Sequence, residues 1–195
     1  MALCVFCGSS KGSSPVYADA AVAMGRALAR AGVDLVYGGG HIGLMGIVAD
    51  AALREGGRVI GVIPAALVAR ELAHKGLSEL HVVATMHERK ARMAELSDGF
   101  IALPGGAGTL EETFEQFTWA QLGIHAKPCG VLDVADYFAP LREMVARMVA
   151  EGFLHADEAR ILIFRNDVDL LLAAMRDFAS SPAAAFRKPV TSVQP

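Results

Sequence analysis

The sequence predicts an α/β protein built on an open, doubly wound, mostly parallel sheet with helices on both faces. Three observations carry this. Short aliphatic runs alternate with amphipathic stretches of helical length, and such alternation means crossover connections between parallel strands. The runs are aliphatic on both faces, as strands are when helices cover both sides of a sheet. A glycine-rich or polar turn follows most of these runs. In such sheets, ligands bind beyond the carboxyl ends of the strands.

The candidate strands are 3–6, 34–37, 58–62, 80–83, 99–103 and 129–132, with a weaker one at 161–164. A helix over 16–31 has Pro15 at its first turn and Gly32 as its stop. Another over 43–55 ends at Gly56 and Gly57. The 195 residues suit one domain, expected over 1–179. Residues 180–195 are expected to be a flexible, frayed tail, because Pro182, Pro189 and Pro195 interrupt them and they include Arg187 and Lys188 but no acid.

A hydrophobic share of 53% with 20% charged residues excludes a disordered chain. No run approaches the roughly 18 apolar residues of a membrane span. Eighteen basic against 21 acidic residues give −3, which argues against a nucleic-acid partner. The first seven residues lack a charged leader and read as a strand, not a signal peptide. Three cysteines, Cys4, Cys7 and Cys129, in an unsignalled chain suggest reduced thiols in a cytoplasm. Cys4 and Cys7 have C-x-x-C spacing, but positions three apart on a strand point to opposite faces, so core thiols are the expectation. The six histidines show no metal-ligand spacing, and no metal site is expected.

Four loops follow strands. In the first, 7–14, small residues and hydroxyls such as Ser9 let a backbone approach a ligand, and Ser14 can cap the next helix. The second, Gly38-Gly39-Gly40-His41-Ile42-Gly43, formally matches G-x-G-x-x-G. A dinucleotide site also wants an acid about 20 residues on, and the strand ending at Val62 offers none. The loop, with Gly39 and Gly40, is expected to be a phosphate or nucleotide wall.

The third loop, Pro104-Gly105-Gly106-Ala107-Gly108-Thr109-Leu110-Glu111-Glu112, runs into a helix whose free N–H groups make an anion seat. The Walker lysine is absent. Thr109 and Glu112 have the spacing of a capping box, and a carboxylate at a helix start is stabilised as an anion. The fourth, Thr85-Met86-His87-Glu88-Arg89-Lys90, opens a helix with a second capping box at Thr85 and Glu88. Arg89 and Lys90 there oppose the helix dipole by about 0.3–1 kcal/mol each. A bound phosphate or a facing carboxylate reverses that sign, and this reading is favoured over a solvated pair. Trp119 with Phe114 and Phe117 reads as core or subunit contact, and Asp133 and Asp136 as solvated loop residues.

Met86-His87-Glu88-Arg89-Lys90 followed by Pro104 to Glu112 resembles the paired M-H-x-R-K and P-G-G-x-G-T-x-x-E signature of the Lonely guy (LOG) family. Cys7 to Ser10, Tyr37 to Gly40, Gly43 to Gly46 and Thr118 to Gly123 also fit. The resemblance runs in register over about residues 3–140. It implies a modified Rossmann fold and a phosphoribohydrolase that cleaves the N-glycosidic bond of cytokinin riboside 5′-monophosphates, and AMP, into free base and ribose 5-phosphate. It also implies a homodimer with active sites at or near the interface, and no cofactor. The family's catalytic positions fall on Arg89 and Glu112. Its substrate positions fall on Glu71, Arg89, Lys90, Gly106, Ala107, Gly108, Thr109, Leu110, Glu111, Glu112 and Thr118. The residues read from the loops themselves add Ser9, Gly39, Gly40 and Gly105. Ala69 stands where plant members carry proline. Relatives are often labelled lysine decarboxylases, but no lysine context for a pyridoxal Schiff base is evident. A non-catalytic nucleotide or molybdopterin carrier and a dinucleotide oxidoreductase are the competing readings.

Overall fold

Residues 1–69 and 72–180 are described in the structure, a computed structural model. The elements run β1 (Ala2–Phe6), α1 (Pro15–Arg30), β2 (Asp34–Tyr37), α2 (Gly43–Arg54), β3 (Val59–Pro64), α3 (Ala65–Val68), β4 (Glu79–Val83), α4 (Met86–Glu95), β5 (Gly99–Ala102), α5 (Ala107–Gln121), β6 (Cys129–Leu132), α6 (Ala139–Ala150), α7 (Ala156–Ala159), β7 (Leu162–Arg165) and α8 (Val168–Ser180). The strands form one sheet in the order β4-β3-β2-β1-β5-β6-β7. Every neighbouring pair is parallel.

The strand order reverses between β1 and β5. That is the topological switch point, where a doubly wound sheet opens a crevice at its carboxyl edge. The loops after β1 and β5 flank it directly, and those after β2 and β3 lie on one side of it.

Alternation along each strand divides the core. Leu3, Val5 and Cys7 pack with Met24, Leu28, Val48 and Leu171, on the face covered by α1, α2 and α8. Cys4 and Phe6 pack with Met93, Phe117 and Val145, on the face covered by α4, α5 and α6. The two cysteines of the C-x-x-C therefore lie on opposite faces, both buried and free. Burial raises both thiols above their ordinary range. Phe117 meets Phe114 edge to face at 6.0 Å, and Trp119 packs half-buried against the same core.

Local signals explain the ends. Ser14 caps α1 by accepting the Val16 N–H at 3.4 Å, with Pro15 at the first helical position. Gly32, just past α1, is left-handed at φ +64°. Gly25 lets α1 and α2 touch, because a Cβ there would stand 2.4 Å from the Val48 carbonyl oxygen. β4 departs from the two-sided pattern: Leu80 and Val82 are exposed. It is the outer strand, so one of its faces lacks full helix cover.

Asp133 overturns an expectation. It is buried, not solvated; its carboxylate accepts the Phe138 N–H at 2.7 Å and an Arg142 N–H at 3.0 Å, tying the turn after β6 to the start of α6. Asp136 is left-handed at φ +57° in that turn. The helix α8 extends through Ser180; the rest of the expected tail, 181–195, lies outside the described residues, as does Glu71.

Candidate active site

The start of α4 is set by its cap. Thr85 accepts the Glu88 N–H at 3.1 Å, and Glu88 reaches back to the Ala84 N–H at 2.9 Å. This orientation sends Arg89 and Lys90 inward, each 8% exposed. Both turn towards α5, at the carboxyl edge near β5.

Arg89 donates from Nε to the Val62 carbonyl in β3 at 3.1 Å and from Nη1 to Oε1 of Glu112 at 3.1 Å. Lys90 donates to Glu111 and, at 3.0 Å, to Glu115. Thus two cations near the start of one helix meet three carboxylates of another, which offsets their unfavourable position in the helix dipole. Arg89, Lys90, Glu112 and Asp133 are the four buried charged residues among those described, and three of them are here. Charge buried at this density persists only when paired.

Burial pushes the Glu112 carboxyl up from the ordinary glutamate range; Arg89 pulls it back and Glu111 pushes it further up. The sequence pattern suggested the opposite direction, through the helix dipole. Glu112 is the sixth residue of α5, beyond the first turn where the dipole acts. For Lys90, burial works to lower the ammonium, but its bonds to Glu111 and Glu115 outweigh that and raise it.

The capping box at Thr109 is not formed. The N-cap of α5 is Gly106, in extended backbone without a side-chain cap, and its carbonyl accepts the Thr109 N–H at 3.1 Å and the Leu110 N–H at 3.3 Å. Thr109 is therefore inside the first turn and buried, and its own carbonyl takes the Thr113 hydroxyl at 2.7 Å. Starting the helix at Ala107 leaves Gly106, Ala107 and Gly108 exposed at a helix N-terminus, where N–H groups face outward. A Cβ at Gly106 or Gly108 would meet nothing within 4 Å, whereas one at Gly105 would collide with Thr109 Oγ1 at 2.1 Å.

The loops interlock around this rim. Gly8 donates to the Pro104 carbonyl at 3.1 Å, and Leu44 donates to the Gly8 carbonyl at 3.0 Å. Ser9 is exposed, and its backbone lies against Gly43. The Tyr137 hydroxyl donates to the Gly105 carbonyl at 2.6 Å. Gly39 and Gly40, by contrast, are buried. The Gly39 carbonyl accepts the His74 N–H at 2.9 Å, and Gly40 bridges to Ala73. Their backbone is used in packing, not displayed as an open wall.

Of the residues singled out from the sequence, Arg89, Lys90, Glu111 and Glu112 are in direct contact. Gly105 and Thr109 pack behind the rim, and Gly106, Ala107, Gly108 and Leu110 form its exposed part. Thr118 is exposed, six residues or about 9 Å further along the same helix. Glu115 was not anticipated; its four-residue spacing from Glu111 on a helix was the available signal. The Val62 carbonyl had no signal at all. Among the described residues, no three His, Cys, Asp or Glu side chains lie close enough to hold a metal ion, and no helix is long and apolar enough to cross a membrane.

The chain is similar to known proteins. A family model described as "possible lysine decarboxylase" matches residues 45–175. A cytokinin riboside 5′-monophosphate phosphoribohydrolase of Rhodococcoides fascians is 51% identical over 174 residues, covering 88% of this chain and 87% of that one. An Arabidopsis thaliana protein of the same name is 50% identical over 178 residues, covering 91% and 82%. Among solved structures, the molybdenum cofactor binding protein of Rippkaea orientalis superposes with a TM-score of 0.71 at 19% identity, covering 92% of this chain and 97% of that one. That likeness is one of fold.

Proposed function

The chain belongs to the LOG family of cytokinin riboside 5′-monophosphate phosphoribohydrolases, and from that premise we propose that the buried Arg89–Glu112 pair is its reacting centre. The protein hydrolyses the N-glycosidic bond of cytokinin riboside 5′-monophosphates, releasing free base and ribose 5-phosphate. One observation supports the placement above others: a carboxylate held 3.1 Å from a guanidinium, next to a helix N-terminus whose glycines face open space.

The chemistry follows from charge. The C1′–N bond breaks with its electron pair leaving on the base, so positive charge builds on the sugar. Water supplies the oxygen that bonds to C1′ and the proton that ends on the base. Among the described residues Arg89 engages only Oε1 of Glu112, leaving Oε2 for water or C1′. An ionised Glu112 stabilises the sugar cation whether it activates water or attacks C1′ itself. Arg89 cannot lose its proton in a protein, so it orients and tempers Glu112.

The 5′-phosphate belongs at the exposed N–H groups of Gly106, Ala107 and Gly108, against the start of α5. Two cations facing three acids, of which Glu111 and Glu115 reach solvent, leave Lys90 already neutralised, which is why backbone donors, not Lys90, suit the phosphate. The bonds that hold Lys90 as an ammonium also disfavour the neutral amine a Schiff-base lysine needs, against the decarboxylase description.

We also take AMP as a second substrate and a homodimer as the working assembly. Met86 and Leu110 are exposed at the starts of α4 and α5 beside the site, and Leu122 and Ile124 are exposed just past the far end of α5, which supports an interface along that helix. Incubation with AMP and with isopentenyladenosine monophosphate, followed by assay of free base and ribose 5-phosphate, tests the function. Nucleotide binding without release of either product would mean a carrier instead. Light scattering after size exclusion tests the dimer.

A further inference from the structure

We infer that Gly38 is a positioning residue for Arg89: position 38 is glycine because the arginine's guanidinium occupies the volume a side chain would fill. A Cβ at Gly38 would stand 1.7 Å from Nη2 and 2.9 Å from Cζ of Arg89. The next nearest atom is Met45 Sδ at 3.3 Å, the adjustable middle of a flexible side chain.

The backbone does not ask for glycine here. Gly38 lies outside the left-handed region, so any residue could adopt its conformation. Its neighbours differ. Gly39 is left-handed at φ +72° and needs glycine for that reason. A Cβ at Gly40 would find only ordinary contacts, from 3.5 Å outward. Three consecutive glycines thus carry three separate requirements, and the one at 38 is set by a side chain 51 positions away in the chain.

The consequence is a three-point seat. The Val62 carbonyl holds Nε, Glu112 holds Nη1, and the bare backbone of Gly38 admits Nη2. Because the guanidinium is planar and rigid, losing any one of these turns the other two out of register. A methyl group at 38 displaces Arg89 without removing it. The inference rests on the proposed role of the Arg89–Glu112 pair, but the clash itself can be tested apart from catalysis.

The test is a double-mutant cycle of Gly38→Ala and Arg89→Ala, read by kcat, KM and thermal midpoint. Gly38→Ala in the parent is expected to lower kcat about 100-fold, as misplacement of a catalytic group by about 1 Å does, with little change in KM. In the Arg89→Ala background the same substitution is expected to change neither kcat nor midpoint appreciably, since the atom it struck is gone. Should Gly38→Ala alone fail to fold, the double variant is expected to fold. Arg89→Lys, whose ammonium lacks the Nη2 position, replaces Arg89→Ala if that variant is unstable. Guanidinium ion added to Arg89→Ala is expected to restore part of kcat, and to do nothing for the double variant.

Near-parental kcat in Gly38→Ala, or an equal penalty in both backgrounds, overturns the inference and makes Gly38 a general packing residue. A stability coupling between positions 38 and 89, found together with full activity in Arg89→Ala, retires the proposed reacting pair instead and leaves the seat standing.

Discussion

The loop after β2 and the loop after β5 each join a strand to a helix through a run of glycines, yet a Cβ would strike Arg89 at Gly38 and meet only open space at Gly106 or Gly108. The glycines 38–40 of the first loop are buried and the loop is bonded to the 72–74 segment; the second is exposed at a helix N-terminus. Composition reports only that the backbone must come close to something. In one loop that something is the protein's own guanidinium, and in the other it is solvent, where a ligand can sit. The two are complementary: one seats the cation that aligns the acid, and the other supplies donors for a phosphate.

The largest expected effect removes the acid that both loops serve. Glu112→Gln is expected to lower kcat by about 10³-fold, in the range for a lost acid–base group, while nucleotide binding persists in equilibrium dialysis. Near-parental turnover would take Glu112 out of the chemistry.

Arg89→Ala comes next. It leaves a buried carboxylate without its partner, which typically costs about 3–5 kcal/mol, measurable by urea titration, and it is expected to cost more kcat than Lys90→Ala. Equal, mild losses from both would point to a general basic patch.

The contrast between the loops is sharpened by placing one methyl group in each. Gly39→Ala forces an L-residue into the left-handed region and is expected to cost about 1–2 kcal/mol of stability. Gly108→Ala meets no atom and is expected to leave the thermal midpoint unchanged while raising KM for the nucleotide. If the two variants exchange phenotypes, the assignment of packed and open loops is wrong.

The smallest effect is on pH. Native Glu112 holds its proton above the ordinary value of 4.5, so between that value and its raised one the folded state binds more protons than the unfolded chain. Its contribution to stability is full below 4.5 and is lost as pH rises through that window. The acid limb of kcat is expected above the ordinary glutamate range for the same reason. Lys90→Met, which removes a cation and frees the charges of Glu111 and Glu115, is expected to move that limb further up. A downward shift would mean that Lys90 does not act on Glu112.

Much of the architecture was legible because it is locally encoded. The strand runs, the Ser14 and Thr85 caps and the opposed faces of Cys4 and Cys7 each follow from residues a few positions apart. The Thr109 capping box failed for a local reason too: the Gly106 backbone opened α5 three residues before that box would have formed. Asp133 failed for a distant one. Its solvated reading ignored Phe138 and Arg142, which fold over it from the start of α6 and bury it.

At the site, the residue types and the signature that carries them were settled by the sequence alone. An arginine and a lysine in the first turns of one helix, with carboxylates and glycines in another, follow from composition and spacing. Which cation meets which carboxylate, which glycine yields to a side chain and which to solvent, and which way burial moves the acid were decided only by tertiary structure. Those outcomes depend on atoms 21 to 51 residues apart along the chain meeting at one edge of the sheet. Short-range patterns set backbone conformation, but electrostatic pairing and steric exclusion act through space.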